Sequence, residues 1–182
     1  MTNHLMGNER YLFDSDVLIV AQNNYYNPEI IPAFWQWILE GHNQECFYSI
    51  DKVSDELKKG REDDFLHLFA VENSSLFLGS SDINCITEYA KLQTWANTIW
   101  TLGKKLNKTS KATEAFASET KADAFLVAYA KANDFVIVTN ETSDMPCQTN
   151  VKIPDAANSC GVKTINLYSL LLSHSHNNFQ FK

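Results

Sequence analysis

The chain has 182 residues, 45% of them hydrophobic and 20% charged, which are the values of a globular protein able to bury a sizeable core. Its 22 acidic against 15 basic residues give a formal charge of −7 at pH 7, which argues against nonspecific adhesion to duplex nucleic acid. The same charge leaves nucleic acid open as the substrate of an acidic pocket filled by a divalent cation. No stretch approaches the roughly 18 apolar residues of a membrane helix, and MTNHLMGNER lacks the apolar run of a secretory leader. The expectation is one cytoplasmic domain over residues 1–182, with flexible tails at 1–9 and 174–182.

In chain order, Tyr11 to Phe13 predicts a first buried strand, and Val17 to Gln22 a short helix. Asn27 and Pro28 read as a helix start. Ile30, Ile31, Phe34, Trp37 and Ile38 give that helix an apolar face, and Gly41 ends it. Cys46 to Ile50 is a second strand. Asp51 caps a helix with Val53 and Leu57 inward, Gly60 interrupts it, and a further helix runs from Arg61 to Ala70. Leu76 to Leu78 is too short to assign. A long helix is predicted from Asp82 to Gly103, with Ile83, Ile86, Ala90, Trp95, Ile99 and Leu102 inward.

Another helix is predicted from Ser118 to Asn133, with Ala122, Phe125, Leu126, Tyr129 and Ala130 inward. Phe135 to Thr139 is a β-branched strand, and Val162 to Ile165 a last strand before the apolar Leu167 to Leu172. Strands that are continuous apolar runs separated by helices point to an α/β three-layer sandwich, with a mainly parallel sheet of four or five strands covered by helices. Cys46, Cys85, Cys147 and Cys160 lie far apart with no CxxC, so reduced, packed thiols are expected.

Acids recur where strands end. Asp14 and Asp16 follow the first strand, and Glu56 the second. Asp123 opens a helix, Glu141 and Asp144 follow FVIVT, and Asp155 lies in the loop before the last strand. In a parallel sheet these strand ends share the edge where ligands bind. Converging carboxylates repel one another, raise one another's pKa values, and are relieved by a divalent cation. Oxygen-only ligation suits Mg²⁺ or Mn²⁺ rather than zinc. Surface acids and helix caps would give the same spacing, but Asp14 stands out because it abuts an apolar strand directly.

The ordered set FDSDVLI, SDEL, ADAFLVAYA and FVIVTNE resembles the PIN domain family of metal-dependent ribonucleases. NNYYNPEIIPAFWQWI and KIPDAANSCGV extend the resemblance to a toxin-like, PIN-like subgroup of small bacterial proteins without an assigned function. The resemblance implies hydrolysis of RNA phosphodiesters at Asp14, Glu56, Asp123 and Glu141. Asp14, Glu56 and Asp123 would be the ligands to Mg²⁺ or Mn²⁺. Asp155 rivals Glu141 as the fourth acid, because the fourth motif reads Thr139, Asn140, Glu141 with Asp144 beyond. Ser15, Asp16, Thr139, Asp144 and Asp155 are the supporting candidates. FDSDVL also resembles a haloacid-dehalogenase motif, but Leu18 stands where that motif wants Thr or Val.

The resemblance further implies a toxin held in check by an antitoxin protein encoded nearby, with a homodimer open. The alternative is a catalytically weak binding module acting through a protein partner. Trp35 and Trp37 lie about 200° apart around a helix, so either one is exposed to a partner or both helix faces are covered within the monomer.

Overall fold

A computed structural model of the chain describes residues 9–102, 110–116, 118, 121–144 and 150–182. Five parallel strands form the sheet: β1 (Arg10–Phe13), β2 (Phe47–Ile50), β3 (Phe77–Leu78), β4 (Phe135–Val138) and β5 (Thr164–Ile165), in the order β3-β2-β1-β4-β5. The first strand is thus central. Phe13 sits opposite Val138, and Asp14 N donates to Val138 O at 3.0 Å, so the pairing runs one residue past the strand. Because every strand runs the same way, Asp14, Asp51 and Thr139, which follow β1, β2 and β4, come out at one edge. The α/β class, with the sheet parallel and flanked by helices, is as the sequence predicts.

The helices are α1 (Ser15–Val20), α2 (Pro32–Asn43), α3 (Asp51–Leu57), α4 (Phe65–Glu72), α5 (Ile83–Leu102), α6 (Ser110–Phe116), α7 (Ala122–Asn133), α8 (Ile153–Cys160) and α9 (Leu167–His174). A π-helical turn, Ala21–Tyr25, continues α1. The start of α2 falls at Pro32, not at Asn27 and Pro28, because proline at the first turn needs no amide partner there. Ile30 is consequently exposed. Gly41 does not end this helix. It lies inside, where a Cβ would stand 2.1 Å from Phe47 Cδ2, so its bareness lets the ring of β2 press against the helix.

Both tryptophans of α2 are buried, Trp35 at 4% and Trp37 at 1% exposure. Trp35 meets Phe65 and Phe69 of α4 at 4.6 and 5.2 Å between centroids, and its Nε1 donates to Tyr26 O. Trp37 meets Phe47 at 4.8 Å, and its Nε1 donates to His174 O. The helix is covered on both faces from within the monomer, and neither indole is left for a partner.

The long helix α5 is where predicted, but its inward face is rotated. Ile83 (76% exposed) and Ile86 (40%) point outward, and Ala90 is exposed too. Cys85, Tyr89, Leu92 and Ala96 are buried at helical spacing against α7, with Tyr89 stacked on Phe125 at 4.2 Å. The side chains of Ile99 and Leu102 lie outside the described set. Helix α7 starts at Ala122 rather than Ser118, and α6 has no counterpart in the sequence reading.

Asp155 is not in a loop. It occupies the first turn of α8, a helix that the sequence reading missed. The last segment, expected to fray, is held. His174 O accepts from Trp37 and from Lys182 N, Ser175 pairs with Phe181, and Phe179 and Phe181 pack on the core. Of the tail expected at 1–9, only Glu9 is described, and its carboxylate accepts from Tyr11 and Lys163. Cys46 and Cys85 are buried free thiols and Cys160 a half-buried one, while Cys147 lies outside the described residues. No described helix is long and apolar enough to cross a membrane.

Candidate acidic site at the strand ends

Asp14 follows directly on β1 with 3% of its surface exposed. Its Oδ2 accepts from Thr139 Oγ1 at 3.0 Å, a bond between the ends of two neighbouring strands. Burial pushes its pKa up from 3.8 to about 7, helped by the negative charge of Asp123 and opposed by the Thr139 hydrogen bond; Glu141 and Asp16 add further repulsion. Asp123, in the first turn of α7, is likewise raised to about 6, first by burial and then by Glu56 and Glu141, with Lys121 working the other way. Asp14, Asp16, Glu56, Asp123 and Glu141 are thereby within one electrostatic neighbourhood, drawn from α1, α3, α7 and the loop after β4.

Two acids of this group have structural partners at both oxygens. Glu56 Oε2 accepts from Ser15 Oγ at 2.7 Å, and Oε1 accepts from Ala122 N at 3.2 Å. Lys121, the residue before α7, provides no side-chain cap, so Glu56 caps the helix from a distance. Glu141 repeats the arrangement on α8. Its Oε2 accepts from Ile153 N at 2.8 Å and its Oε1 from Lys152 Nζ at 2.7 Å, and Lys152 provides no side-chain cap. Glu141 N in turn donates to Thr139 Oγ1 at 3.2 Å. One continuous chain of bonds runs Asp14–Thr139–Glu141–Lys152.

Asp155 is buried but turned to another task. Its Oδ1 accepts from Ser143 Oγ at 2.5 Å and its Oδ2 from Asp144 N at 3.2 Å, which ties the loop after β4 onto α8. Glu141, and not Asp155, is among the charges that act on Asp14 and Asp123, and Asp144 contributes its backbone rather than its exposed carboxylate. Asp51, at the end of β2, binds Lys52 N, Ser80 N and Ser80 Oγ and so anchors the segment after β3.

Among the described residues, no group of three or more carboxylate, imidazole or thiol side chains stands close enough to hold a metal ion as placed. Asp14 and Asp123 differ from Glu56 and Glu141: beyond Thr139 and Asp123's own backbone amide, neither carboxylate has a hydrogen bond among the described residues. A cavity of about 220 Å³ lined by Ile19, Gln22, Asn23, Glu56, Gly60 and Asp64 adjoins the site through Glu56. A larger one, about 720 Å³, lies between Glu9, Cys46, His174 and Lys182, at the edge where β1 and β2 begin. Size does not make it the reactive centre, because the raised carboxylates are at the other edge.

Lys121 and Lys152 are the site neighbours that the sequence reading missed. The available signal was the parallel between KADA and KIPD, each placing a lysine just before a helix that carries an aspartate in its first turn.

A comparison with curated proteins found no match. Among solved structures, one described as the structure of FitAB bound to IR36 DNA fragment is similar over 94% of this chain and 97% of that one, at 16% identity and a TM-score of 0.48. A family model matches residues 11–179, a span that takes in the whole acidic group and both lysines, and the chain belongs to that family, the Domain of unknown function (DUF4411).

Proposed function

We propose that this chain is a divalent-cation-dependent endoribonuclease that hydrolyses RNA phosphodiesters with water. The observation that carries the reading is Asp14, a carboxyl buried at the end of the central strand and raised to about 7 by burial and by Asp123. Two such carboxyls side by side are costly to ionise, and a bound cation would relieve them. The resemblance of FDSDVLI, SDEL, ADAFLVAYA and FVIVTNE to PIN ribonucleases supports the same reading.

The donor set suits Mg²⁺ or Mn²⁺ in kind, being oxygen only. Asp14 and Asp123 would hold the ion, with Glu56 directly or through water and Glu141 fourth. Bound there, the ion would offset charge on the phosphoryl oxygens and acidify a water for in-line attack. The chain's own residues set this up: Thr139 holds one oxygen of Asp14, Ser15 holds Glu56, and Asp16 adds negative charge at the rim. Purified protein should cut single-stranded RNA in Mn²⁺ and not in chelator, and Asp14→Asn should remove most of that activity. Cutting that persists in chelator would end the proposal.

A second reading has its own support. Glu56 and Glu141 are engaged as helix caps, which suits a binding module that keeps the acidic pocket without turnover. Cation-induced stabilisation without RNA cleavage would select it. The resemblance also suggests an antitoxin protein encoded nearby and leaves a homodimer open. Pull-down after co-expression with the neighbouring reading frame, with growth on expression of this chain alone, tests that part.

A further inference from the structure

We propose that Lys152 and Lys121 are the substrate-backbone contacts of this site, with Lys152 held by Glu141 in the free protein and passing to a phosphate when RNA binds. The inference rests on the ribonuclease reading and adds the residues that would admit a polyanion to an acidic protein.

The pair Lys152–Glu141 is unlike the other ion pairs among the described residues. Its side chains are 27% and 24% exposed, whereas every other such pair has at least one partner more than a third exposed. Two hydrogen bonds separate it from Asp14. Helix stability does not call for a lysine there. The residue before a helix is favoured as Ser, Thr, Asp or Asn, and a positive charge at that end opposes the helix dipole. The amide it might have capped, Ile153 N, is taken by the second oxygen of Glu141. Lys121 repeats the anomaly on α7, with Glu56 capping Ala122 N in its place, and its charge acts on Asp123.

Two cations thus flank the carboxylates, each set against the local electrostatic preference of its helix. A phosphodiester chain approaching a protein of net charge −7 needs such contacts. Transfer of the Lys152 ammonium from a carboxylate to a phosphate replaces one anion by another and moves no proton.

The test is binding, not cleavage. A fluorescently labelled, 2′-O-methylated single-stranded oligonucleotide of mixed sequence is titrated in chelator from about 50 to 200 mM salt, a range over which each phosphate contact lowers the log–log slope by about 0.7. Lys152→Gln should flatten the slope by about 0.7 and weaken binding about fivefold near 0.1 M salt; Lys121→Gln should do the same, and the double variant should flatten it about twice as much. Lys152→Arg should restore both. Glu141→Gln removes the same ion pair but leaves the cation, so it should leave the slope unchanged or tighten binding. If Lys152→Gln and Glu141→Gln alter thermal stability alike while both keep the wild-type slope, the pair is structural and the inference fails alone. Wild-type protein that binds no oligonucleotide at any salt, in chelator or in Mn²⁺, overturns both this inference and the RNA reading beneath it.

Discussion

Asp14→Asn should stabilise the cation-free protein, and do so more at alkaline than at acidic pH. Asp14 ionises near 7 in the fold against 3.8 as a free side chain. A carboxyl whose folded pKa is raised keeps its proton in the native state while the unfolded chain has lost it. The native state then binds more protons, so stability falls as pH rises from about 4 to about 7 and is level beyond. At about 1.4 kcal/mol per unit the full loss is about 4 kcal/mol, of which about 3 kcal/mol falls between roughly pH 5 and pH 8. Asparagine carries no charge, and its side-chain oxygen can still accept from Thr139. The variant should therefore gain on the wild type by about 3 kcal/mol between those two pH values, or about 6–12 °C in midpoint for a chain of this size. Urea unfolding in chelator at both pH values measures it. A difference that stays constant with pH, or a variant less stable than wild type at the higher pH, would refute the reasoning.

A divalent cation should stabilise the wild type by about 2.7 kcal/mol at a hundredfold excess over its Kd, raising its unfolding midpoint, and should leave Asp14→Asn nearly unmoved; equal shifts in both proteins would remove Asp14 from the site. Glu56→Ala should cost about 1–2 kcal/mol through the lost cap on α7 and speed amide exchange at Ala122, while Glu56→Gln should cost less because it can still accept from that amide. Gly41→Ala should destabilise by about 1–3 kcal/mol, since its methyl meets the Phe47 ring, and an unchanged midpoint would show that the ring moves freely. Trp35→Ala should cost about 3–5 kcal/mol, as expected of an indole packed inside the monomer, and a loss under 1 kcal/mol would refute that packing role.

Strands β1, β2 and β4 were legible because a parallel sheet buried on both faces demands mostly apolar runs, as in YLF, CFYSI and FVIV, whereas the two-residue β3 was too short to assign. The face of α5 was not legible. Its isoleucines are the most hydrophobic residues it carries, yet Cys85, Tyr89, Leu92 and Ala96 face inward. The neighbour, α7, offers the Phe125 ring, on which Tyr89 stacks at 4.2 Å, so the aromatic pair and the small residues around it set the face that turns inward. Hydropathy ranks transfer from water; it does not rank fit to a particular neighbour. Helix α8 escaped for a related reason. IPDAANSC reads as a turn by its proline, aspartate and asparagine, but proline at a first turn, a cap from Glu141 and a buried Ala156–Ala157 pair make a short helix that packs against α7.

The site divides along the same line. Asp14, Glu56, Asp123 and Glu141 could be nominated because each lies within a few residues of a strand or helix end. Their engagements could not, since they join residues far apart: Ser15 to Glu56 across 41 positions, and Glu56 to Ala122 across 66. These long-range bonds carry the functional question. An acid that caps a helix is held in place whether or not a cation is present, which preorganises it; the same bonds occupy the oxygens that ligation would use. Asp14 and Asp123 bear the electrostatic cost of convergence, while Glu56 and Glu141 bear the structural load. That division explains why Asp14→Asn should relax the fold and Glu56→Ala weaken it, although both residues belong to one acidic group. On the proposed reading it also locates the choice between enzyme and binding module in two carboxylates: turnover would require Glu56 or Glu141 to share an oxygen with a cation, and Lys152 on Glu141 would be the partner that RNA draws away.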